Sequence, residues 1–317
     1  MNFVRYPWLS NLQSPEAQTA LKDARRTYME KGAVTWPQFV TADALSTIVQ
    51  QASAAANAAF TTDSTHTAYL RDPDYEKFPR NSVYNHQMRT QVASIAFDEL
   101  PADSPLATLY QHPTLLQVVS YVATGAFDKL FLSADPLGCC SINVFRPGYH
   151  HSFHFDESVF STTLMIQEAS PTSTGLFQYT PPLRVSLQDL ALSDVASAIT
   201  AYDNETQIPV TLTEVRKSSV ASGTNDTPIS TTGAPPPLYT LDFSAGTLSL
   251  FCGSRSLHRV TRVATDSPQD RLVAVMAYST QPGFCNSAAV QKMFWGRSLS
   301  ALNGGVEKTN TKQSSSS

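Results

Sequence analysis

The stretch from Arg146 to Tyr179, RPGYHHSFHFDESVFSTTLMIQEASPTSTGLFQY, carries the most informative residues of the chain. At its centre His154 and Asp156 flank Phe155, and the alternating run from Val159 to Ile166 predicts a β-strand that leaves this point. Because residues two apart on an extended backbone point to the same side, His154 and Asp156 can contact one common atom. Phe155 should face the opposite side and pack. An imidazole and a carboxylate aimed at one point predict half of a metal site, and the other half should be a His on a distant strand.

A second segment, Gly246 to Thr261 (GTLSLFCGSRSLHRVT), predicts a strand, a glycine turn and then His258 at the start of the next strand. Thirteen residues later Arg271 opens the apolar run LVAVMAY, which is typical of a buried strand. An arginine buried alone is costly, so Arg271 should face an anion, with a carboxylate held bidentately as its natural partner. A His-x-Asp pair by itself is more often a hydrogen-bonded surface pair. The added His258 and Arg271 favour a metal site, and a structural ion pair is the alternative role of Arg271.

Composition limits the classes of protein that fit. The chain has 317 residues, 42% of them hydrophobic, which is enough for one elaborated α+β domain with a large core. The net charge of −4 gives no electrostatic reason to expect nucleic acid or an anionic membrane as partner. The N-terminus lacks the apolar segment of a signal peptide, and no run approaches the roughly 20 apolar residues of a membrane helix. We therefore expect a cytoplasmic protein, with its four cysteines reduced and mostly buried.

Capping residues and hydrophobic periodicity predict the flanking elements. Ser14, Pro15 and Glu16 begin a helix that Gly32 ends, and Thr41 begins a second helix that continues to Ala56. Further elements are expected as follows: a strand at 33–36, a helix at 104–121, two strands within 127–145, a helix at 187–202 and a strand at 208–215. The Ser-, Thr-, Gly- and Pro-rich stretch 218–237 predicts a loop insertion, and 303–317 a disordered tail.

An irregular polar stretch, 61–89, precedes the metal-site segment and contains Arg71, Arg80, His86 and Arg89. Such a stretch is a candidate for a lid over the substrate, with Arg80 as a substrate-binding residue. A surface loop with solvated arginines is the alternative interpretation.

With His154, Phe155, Asp156, His258 and Arg271 in this order, the chain resembles the iron(II)- and 2-oxoglutarate-dependent oxygenases over about residues 131–283. The surrounding sequence, with segments such as GLFQY, SLHRV and AYSTQPG, is similar to that of the subgroup that hydroxylates or halogenates free amino acids and small metabolites. The resemblance implies a double-stranded β-helix, a cupin-like jelly-roll, as the core at 126–290. A helical flank at 1–125 would complete a single oxygenase domain at 1–302.

The resemblance also implies the chemistry. His154, Asp156 and His258 would be the catalytic Fe(II) ligands, and two imidazoles with one carboxylate leave three coordination positions open. 2-Oxoglutarate would fill two positions and O₂ the third, giving succinate and carbon dioxide as an unactivated C–H bond is oxidised. Arg271 would bind the distal carboxylate of 2-oxoglutarate, and Asn143 is a weaker candidate for its other end. Related halogenases have Gly or Ala in place of Asp156, so hydroxylation, desaturation or oxidative cyclisation is expected.

The sequence departs from the family pattern at Val273. Members of the family often have a residue with a hydroxyl group two positions after the arginine. Thr163 or Tyr179 could supply the missing hydrogen bond to the cosubstrate. Two further residues are candidates for substrate binding. His151 is placed like a pocket residue of the subgroup that the chain resembles, and Glu157 directly follows Asp156. A core or surface role for His151 and a solvated loop position for Glu157 stay open. The remaining alternatives are His150 as a metal ligand in place of His154, and Arg259 or Arg262 as either substrate contacts or exposed rim residues.

The expected substrate is an amino acid or an amino-acid-derived metabolite of secondary metabolism, and the oligomeric state is left open. Two other functions compete with this one. A zinc-dependent hydrolase or isomerase on a cupin-like barrel could use the same two histidines and Asp156, but it has no need of Arg271. A non-catalytic small-molecule-binding barrel would not be expected to keep all three metal ligands.

Overall fold

The computed structural model describes residues 1–158, 160–203 and 234–298. Six α-helices are present in these ranges: α1 (Pro15–Lys31), α2 (Ala42–Ala56), α3 (Pro105–Tyr110), α4 (Pro113–Thr124), α5 (Leu192–Tyr202) and α6 (Ala288–Trp295). The strands in the same ranges are β1 (Ala33–Trp36), β2 (Phe60–His66), β3 (Met88–Ile95), β4 (Phe131–Leu132), β5 (Cys140–Phe145), β6 (His151–His154), β7 (Ser161–Gln167), β8 (Phe177–Tyr179), β9 (Tyr239–Thr240), β10 (Leu248–Phe251), β11 (His258–Val260), β12 (Arg271–Met276) and β13 (Tyr278–Ser279). Three short 3₁₀ helices lie at Pro7–Ser10, Val83–Asn85 and Phe97–Glu99.

The first two helices begin and end where their capping residues predict. The Ser14 hydroxyl accepts a hydrogen bond from the Ala17 N–H at 3.1 Å, and Gly32 closes α1 with a left-handed φ of 81°. The Thr41 hydroxyl caps α2 in the same way. These boundaries are confirmed because a cap is a local hydrogen bond that the neighbouring sequence fully specifies.

The helix predicted at 104–121 is two helices, α3 and α4, and the prediction of one continuous helix was wrong. Pro113 has no N–H to donate, and a proline disfavours the helical conformation of the residue before it. His112 accordingly adopts an extended ψ of 123°, and its Nδ1 accepts from the Thr114 N–H. Pro113 thus ends one helix and begins the next.

Every strand pair is antiparallel, and the strands form three sheets. The seven-stranded sheet has the order β1-β10-β7-β12-β5-β3-β2, the four-stranded sheet β6-β11-β8-β9, and the small sheet β13-β4. Helices and antiparallel sheets together confirm the predicted α+β class.

The polar stretch 61–89 is more regular than predicted, because its ends belong to strands β2 and β3. The two strands pair from Phe60↔Ser94 to His66↔Met88 at the edge of the seven-stranded sheet. An edge strand tolerates the polar side chains of β2 because its outer side faces solvent. Only the middle of the stretch, 67–87, lacks strands. Besides its helices and the strand predicted at 33–36, the 1–125 flank therefore also contains strands β2 and β3.

The largest apolar core lies between the helices of the flank and the seven-stranded sheet. It includes Leu21 of α1, Ile48 of α2 and Val118 of α4, packed with Leu164 and Leu250 of the sheet. A second core contains Phe145, Phe177 and Phe251, and a third contains Phe153 and Phe155. Phe155 is therefore buried away from the predicted metal site, as the strand parity requires.

No helix within the described part of the chain is long and apolar enough to cross a membrane. The predicted strand at 208–215, residues 218–233 of the predicted insertion and the predicted tail at 303–317 all lie outside the described residues.

Candidate metal centre

The two histidines predicted to share a metal lie opposite each other on neighbouring strands. His154 ends β6 and His258 begins β11, and the two residues are direct partners in the antiparallel register. Cross-strand partners present their side chains on the same face, and the two ring centroids are 4.1 Å apart. The pairing brings together two residues that are 104 positions apart in the sequence.

Asp156 completes the predicted triad, although it lies just beyond the end of β6 rather than on the strand. Its N–H donates to the Gly253 carbonyl at 3.0 Å, which ties the residue to the turn between β10 and β11. Its Oδ1 lies 3.4 Å from His154 Nε2 and 3.3 Å from His258 Nε2. One ligand atom from each of the three residues falls within 4.8 Å of the others.

Backbone carbonyls set the tautomer of both histidines. His154 Nδ1 lies 2.8 Å from the Ser152 carbonyl, and His258 Nδ1 lies 2.9 Å from the Ser256 carbonyl. Since a carbonyl only accepts, each Nδ1 carries a hydrogen, and in the neutral form of each ring Nε2 keeps a free lone pair. In that form two lone pairs and a carboxylate oxygen face one another. This donor set fits a cation, and two imidazoles with one carboxylate are typical of non-haem iron.

The second carboxylate oxygen of Asp156 is held by Ser161, whose hydroxyl donates to Oδ2. Gly253 leaves the room for this contact, because a Cβ at that position would come within 2.1 Å of Asp156 Oδ2. Burial alone would raise the pKa of Asp156, but the imidazoles of His258 and His154 hold that pKa well below its usual range. Burial, followed by the proximity of His258, lowers the pKa of His154. At neutral pH the site therefore holds a charged carboxylate and a neutral imidazole at His154.

Arg271 begins β12 and is only 2% exposed. Its guanidinium lies over the Phe145 ring, 5.2 Å from the centroid, and its Nε has no hydrogen-bond partner among the described residues. Burial lowers the pKa of Arg271 to about 9, and the charge of Glu168 acts in the opposite direction. The side chain is thus a buried cation at neutral pH. A buried cation of this kind is unfavourable unless an anion offsets its loss of water.

A cavity of about 350 Å³ joins the triad to Arg271. Volumes of this order are typical of small-molecule sites. Of the residues predicted from the sequence, the following line this cavity: Asn143, His151, His154, Asp156, Glu157, Thr163, His258 and Arg271.

Several predicted residues differ from expectation in their contacts. The Thr163 hydroxyl is already paired with the Ser249 hydroxyl at 2.7 Å. The His151 ring stacks face to face on His154, with centroids 3.7 Å apart. Arg80 does not line the cavity, because it is exposed and its guanidinium lies over the Tyr75 ring at 4.9 Å. Tyr179 is also absent from the cavity wall.

The sequence interpretation missed the helix that closes one side of the cavity. Helix α6 and the two residues before it supply Asn286, Ser287, Ala289, Val290, Met293, Phe294 and Trp295 to the wall. A local signal was available, since Ser287 caps the helix by accepting from the Val290 N–H and Gly296 ends it in the left-handed conformation. The sequence indicated the helix, but nothing local indicated what it covers.

Comparison with known proteins gives matches at the level of structure. No family model matches the sequence, and no curated protein matches it either. A non-haem α-ketoglutarate-dependent epimerase from nogalamycin biosynthesis is 13% identical, with 83% of each chain covered and a TM-score of 0.49. Another structure of that epimerase contains Fe³⁺, α-ketoglutarate and nogalamycin RO.

Two further similar structures carry comparable names. An oxidoreductase of the 2OG-Fe(II) oxygenase family from Burkholderia pseudomallei is 14% identical, covering 83% of this chain and 92% of that one, with a TM-score of 0.46. EctD from S. alaskensis, with 2-oxoglutarate and 5-hydroxyectoine, is 13% identical, covering 81% of this chain and 75% of that one, with a TM-score of 0.41.

Proposed function

We propose that this chain is an iron(II)- and 2-oxoglutarate-dependent oxygenase that oxidises an unactivated C–H bond of a small molecule. The observation that carries the proposal is the joint presence, in one cavity, of the His154, Asp156 and His258 donor set and the buried, unpaired Arg271 Nε. A metal site alone would fit a zinc hydrolase equally well. The buried guanidinium is what requires an anionic cosubstrate.

The residues present fit the proposed metal and cosubstrate. His154 Nε2, His258 Nε2 and Asp156 Oδ1 would hold Fe(II), because their lone pairs already converge and their orientations are set by carbonyls and by Ser161. When bound, iron with 2-oxoglutarate and O₂ supplies oxidation of the substrate C–H bond, with succinate and carbon dioxide as co-products.

Arg271 is proposed to bind the distal carboxylate of 2-oxoglutarate. Its planar guanidinium suits bidentate pairing with a carboxylate, and that pairing would satisfy the Nε that is otherwise unpaired. Asn143 is the candidate for the other end of the cosubstrate, since it lines the same cavity on the neighbouring strand β5. Thr163 can contribute only by sharing the hydroxyl that already contacts Ser249.

The remaining tasks of the protein are to orient the substrate and to keep water out. The aromatic side chains of Phe177, Phe243 and Phe251 and the α6 residues around Phe294 surround the cavity. His151 is held by its stacking on His154 and contributes a polar edge beside the metal ligands. Glu157 is exposed at the cavity rim, where it could contact a substrate ammonium or hydroxyl group.

We also propose that strands β5 to β12 form the double-stranded β-helix that the sequence resemblance implies. In support, β5, β7, β10 and β12 lie in the large sheet, whereas β6, β8, β9 and β11 form the four-stranded sheet. Eight strands shared between two facing antiparallel sheets are typical of a jelly-roll. The core shared by the flank helices and the seven-stranded sheet supports the proposal that the described residues form one domain.

The test is an anaerobic titration of the metal-free protein with Fe(II) and 2-oxoglutarate, followed by visible absorption. We expect a weak charge-transfer band in the parent protein, its loss in His154→Ala, and a higher 2-oxoglutarate requirement in Arg271→Met. His112→Ala is the matched control for a histidine far from the cavity, and it should leave the band unchanged. Tight binding of zinc without any effect of 2-oxoglutarate would overturn the proposal.

A further inference from the structure

We infer that the substrate is a molecule with an apolar body and no free carboxylate. This inference rests on the proposed function, because Arg271 is assigned there to 2-oxoglutarate. It narrows the amino acid expected from the sequence to derivatives whose carboxylate is masked, for example as an amide or an ester.

Much of the cavity wall beyond the metal ligands is apolar, although Ser94, Ser141, Asn143, Asn286 and Ser287 also line it. On β12, Val273 and Val275 share the face of Arg271, because residues two apart on a strand point the same way. These two valines thus line the cavity beside the proposed 2-oxoglutarate site at Arg271. Helix α6 supplies Val290, Met293 and Phe294 to another part of the wall. An apolar substrate body would lose its contact with water against these side chains, which favours binding.

The charged side chains that line the described part of the cavity are Asp156, Glu157 and Arg271. Asp156 would pair with the proposed Fe(II) and Arg271 with 2-oxoglutarate, so Glu157 is the charged side chain of this set that would remain to face a substrate. Other arginines near the site have different partners. Arg259 donates to Gln178 Oε1 at 2.9 Å and to the Tyr202 carbonyl at 2.8 Å, and neither it nor Arg262 lines this cavity.

A carboxylate on the substrate would thus be taken out of water near the acidic Glu157 and without a counter-ion from the side chains of the described wall. Burying an unpaired carboxylate is strongly unfavourable.

The experiment compares two probes with the same apolar body, 2-naphthamide and 2-naphthoate. Binding of each is measured calorimetrically to the full chain, anaerobically, with Mn(II) and saturating 2-oxoglutarate so that Arg271 is occupied and no turnover occurs. We expect the amide to bind at least about tenfold more tightly than the carboxylate. Equal binding of the two probes, tighter binding of the carboxylate, or binding of neither would overturn the inference.

A variant that introduces a positive charge tests the same point from the protein side. Met293→Lys places an ammonium group in the apolar wall with little change in side-chain length, and it should raise the affinity for 2-naphthoate relative to 2-naphthamide. Ala288→Lys is the matched control, because Ala288 is exposed on the same helix and does not line the cavity. An unchanged preference in correctly folded Met293→Lys would contradict the inference.

The two proposals fail in different ways. If 2-oxoglutarate itself does not bind to the Mn(II)-loaded protein, the proposed function is wrong, whatever the probes do. If 2-oxoglutarate binds and Arg271→Met abolishes that binding, but 2-naphthoate binds as well as 2-naphthamide, the function stands and the substrate class is wrong.

Discussion

Arg271 lies in an unfavourable environment in the described structure. Its guanidinium has lost its water, its Nε lacks a partner in the described structure, and the nearest compensating charge acting on it is that of Glu168. Removing such a cation relieves a cost, whereas removing a paired one leaves its partner unsatisfied. Replacing Arg271 should therefore have opposite effects on the stability of the protein and on its binding of the cosubstrate.

We predict that Arg271→Met leaves the free energy of unfolding of the metal-free protein unchanged or raises it by up to about 2 kcal/mol. The same variant should lose the thermal stabilisation that 2-oxoglutarate gives to the Mn(II)-loaded parent. Denaturant unfolding and thermal shift measure the two effects. Arg259→Met is the matched control, since Arg259 is hydrogen-bonded outside the cavity and its loss should destabilise the protein while the 2-oxoglutarate effect persists. A strongly destabilised Arg271→Met would instead indicate a structural ion pair.

Adding a single Cβ atom at Gly253 should disturb the metal site. In Gly253→Ala the new carbon would lie 2.1 Å from Asp156 Oδ2 and 2.8 Å from Ser161 Oγ, so the carboxylate must move. We expect metal affinity to fall by about 10- to 100-fold, as is common when the support of a metal ligand is lost. Titration with Mn(II) measures this. Ser161→Ala, which removes the hydrogen bond without adding bulk, should cause a smaller loss, and parent-like affinity in Gly253→Ala would show that Asp156 does not depend on this turn.

At the scale of elements, α6 is held against the cavity by one buried carboxylate. Asp135 is fully buried, and its two oxygens accept four hydrogen bonds, from the Leu137 N–H, the Gln291 amide, and the N–H and side-chain amide of Asn286. Charge-assisted bonds of this kind are among the stronger ones in proteins. Asp135 therefore joins the loop between β4 and β5 to the helix that forms the apolar wall.

We predict that Asp135→Ala lowers the free energy of unfolding by about 2–4 kcal/mol, because it leaves buried donors unsatisfied. Asp98→Ala is the matched control. Asp98 also contacts the C-terminal segment, through Arg297 at 2.7 Å, but on the surface, where an ion pair contributes less than about 1 kcal/mol. Urea unfolding of both variants measures the difference. Equal effects would mean that Asp135 does not hold α6 in place.

At the scale of the whole molecule, a buried group of histidine rings makes stability depend on pH. His66 lies edge-on to both His151 and His154, at centroid distances of 5.6 and 6.1 Å. Its Nδ1 lies 2.9 Å from the Thr67 carbonyl and its Nε2 2.6 Å from the Thr90 hydroxyl, contacts that a neutral ring satisfies. Burial, followed by the charge of His154, lowers the pKa of His66 from 6.5 to about 4.

The sign of the pH effect follows from that lowered pKa. Between pH 6.5 and 4 the unfolded chain binds a proton at His66 and the folded chain does not, so stability is greatest above 6.5 and falls as the pH falls through this window. For His66 alone the loss is about 3 kcal/mol. We expect the unfolding free energy of the metal-free protein to decline over this range, and to decline less in His66→Gln. An identical pH dependence in parent and variant would exclude His66 as its source.

Across the whole molecule, the sequence by itself determined the features that depend on interactions between residues close together in the chain. The caps at Ser14, Gly32 and Thr41 specify the bounds of two helices, because each cap is a contact within a few residues. Residue types and order also indicated His154, Asp156, His258 and Arg271. One available local signal, Pro113, was overlooked, and it divides a predicted helix in two.

Only the tertiary structure decided which distant segments meet. The register that places His258 opposite His154, the pairing of polar β2 with β3, and the position of α6 across the cavity all depend on sheet pairing and packing between remote parts of the chain. Asp135 and Gly253 give no signal in their own neighbourhoods, because their partners are up to 156 residues away along the chain. The sequence thus determined which chemical groups are available. The fold decided that Arg271 faces the metal ligands while the opposite wall is apolar, since burial and register are properties of the packed chain as a whole.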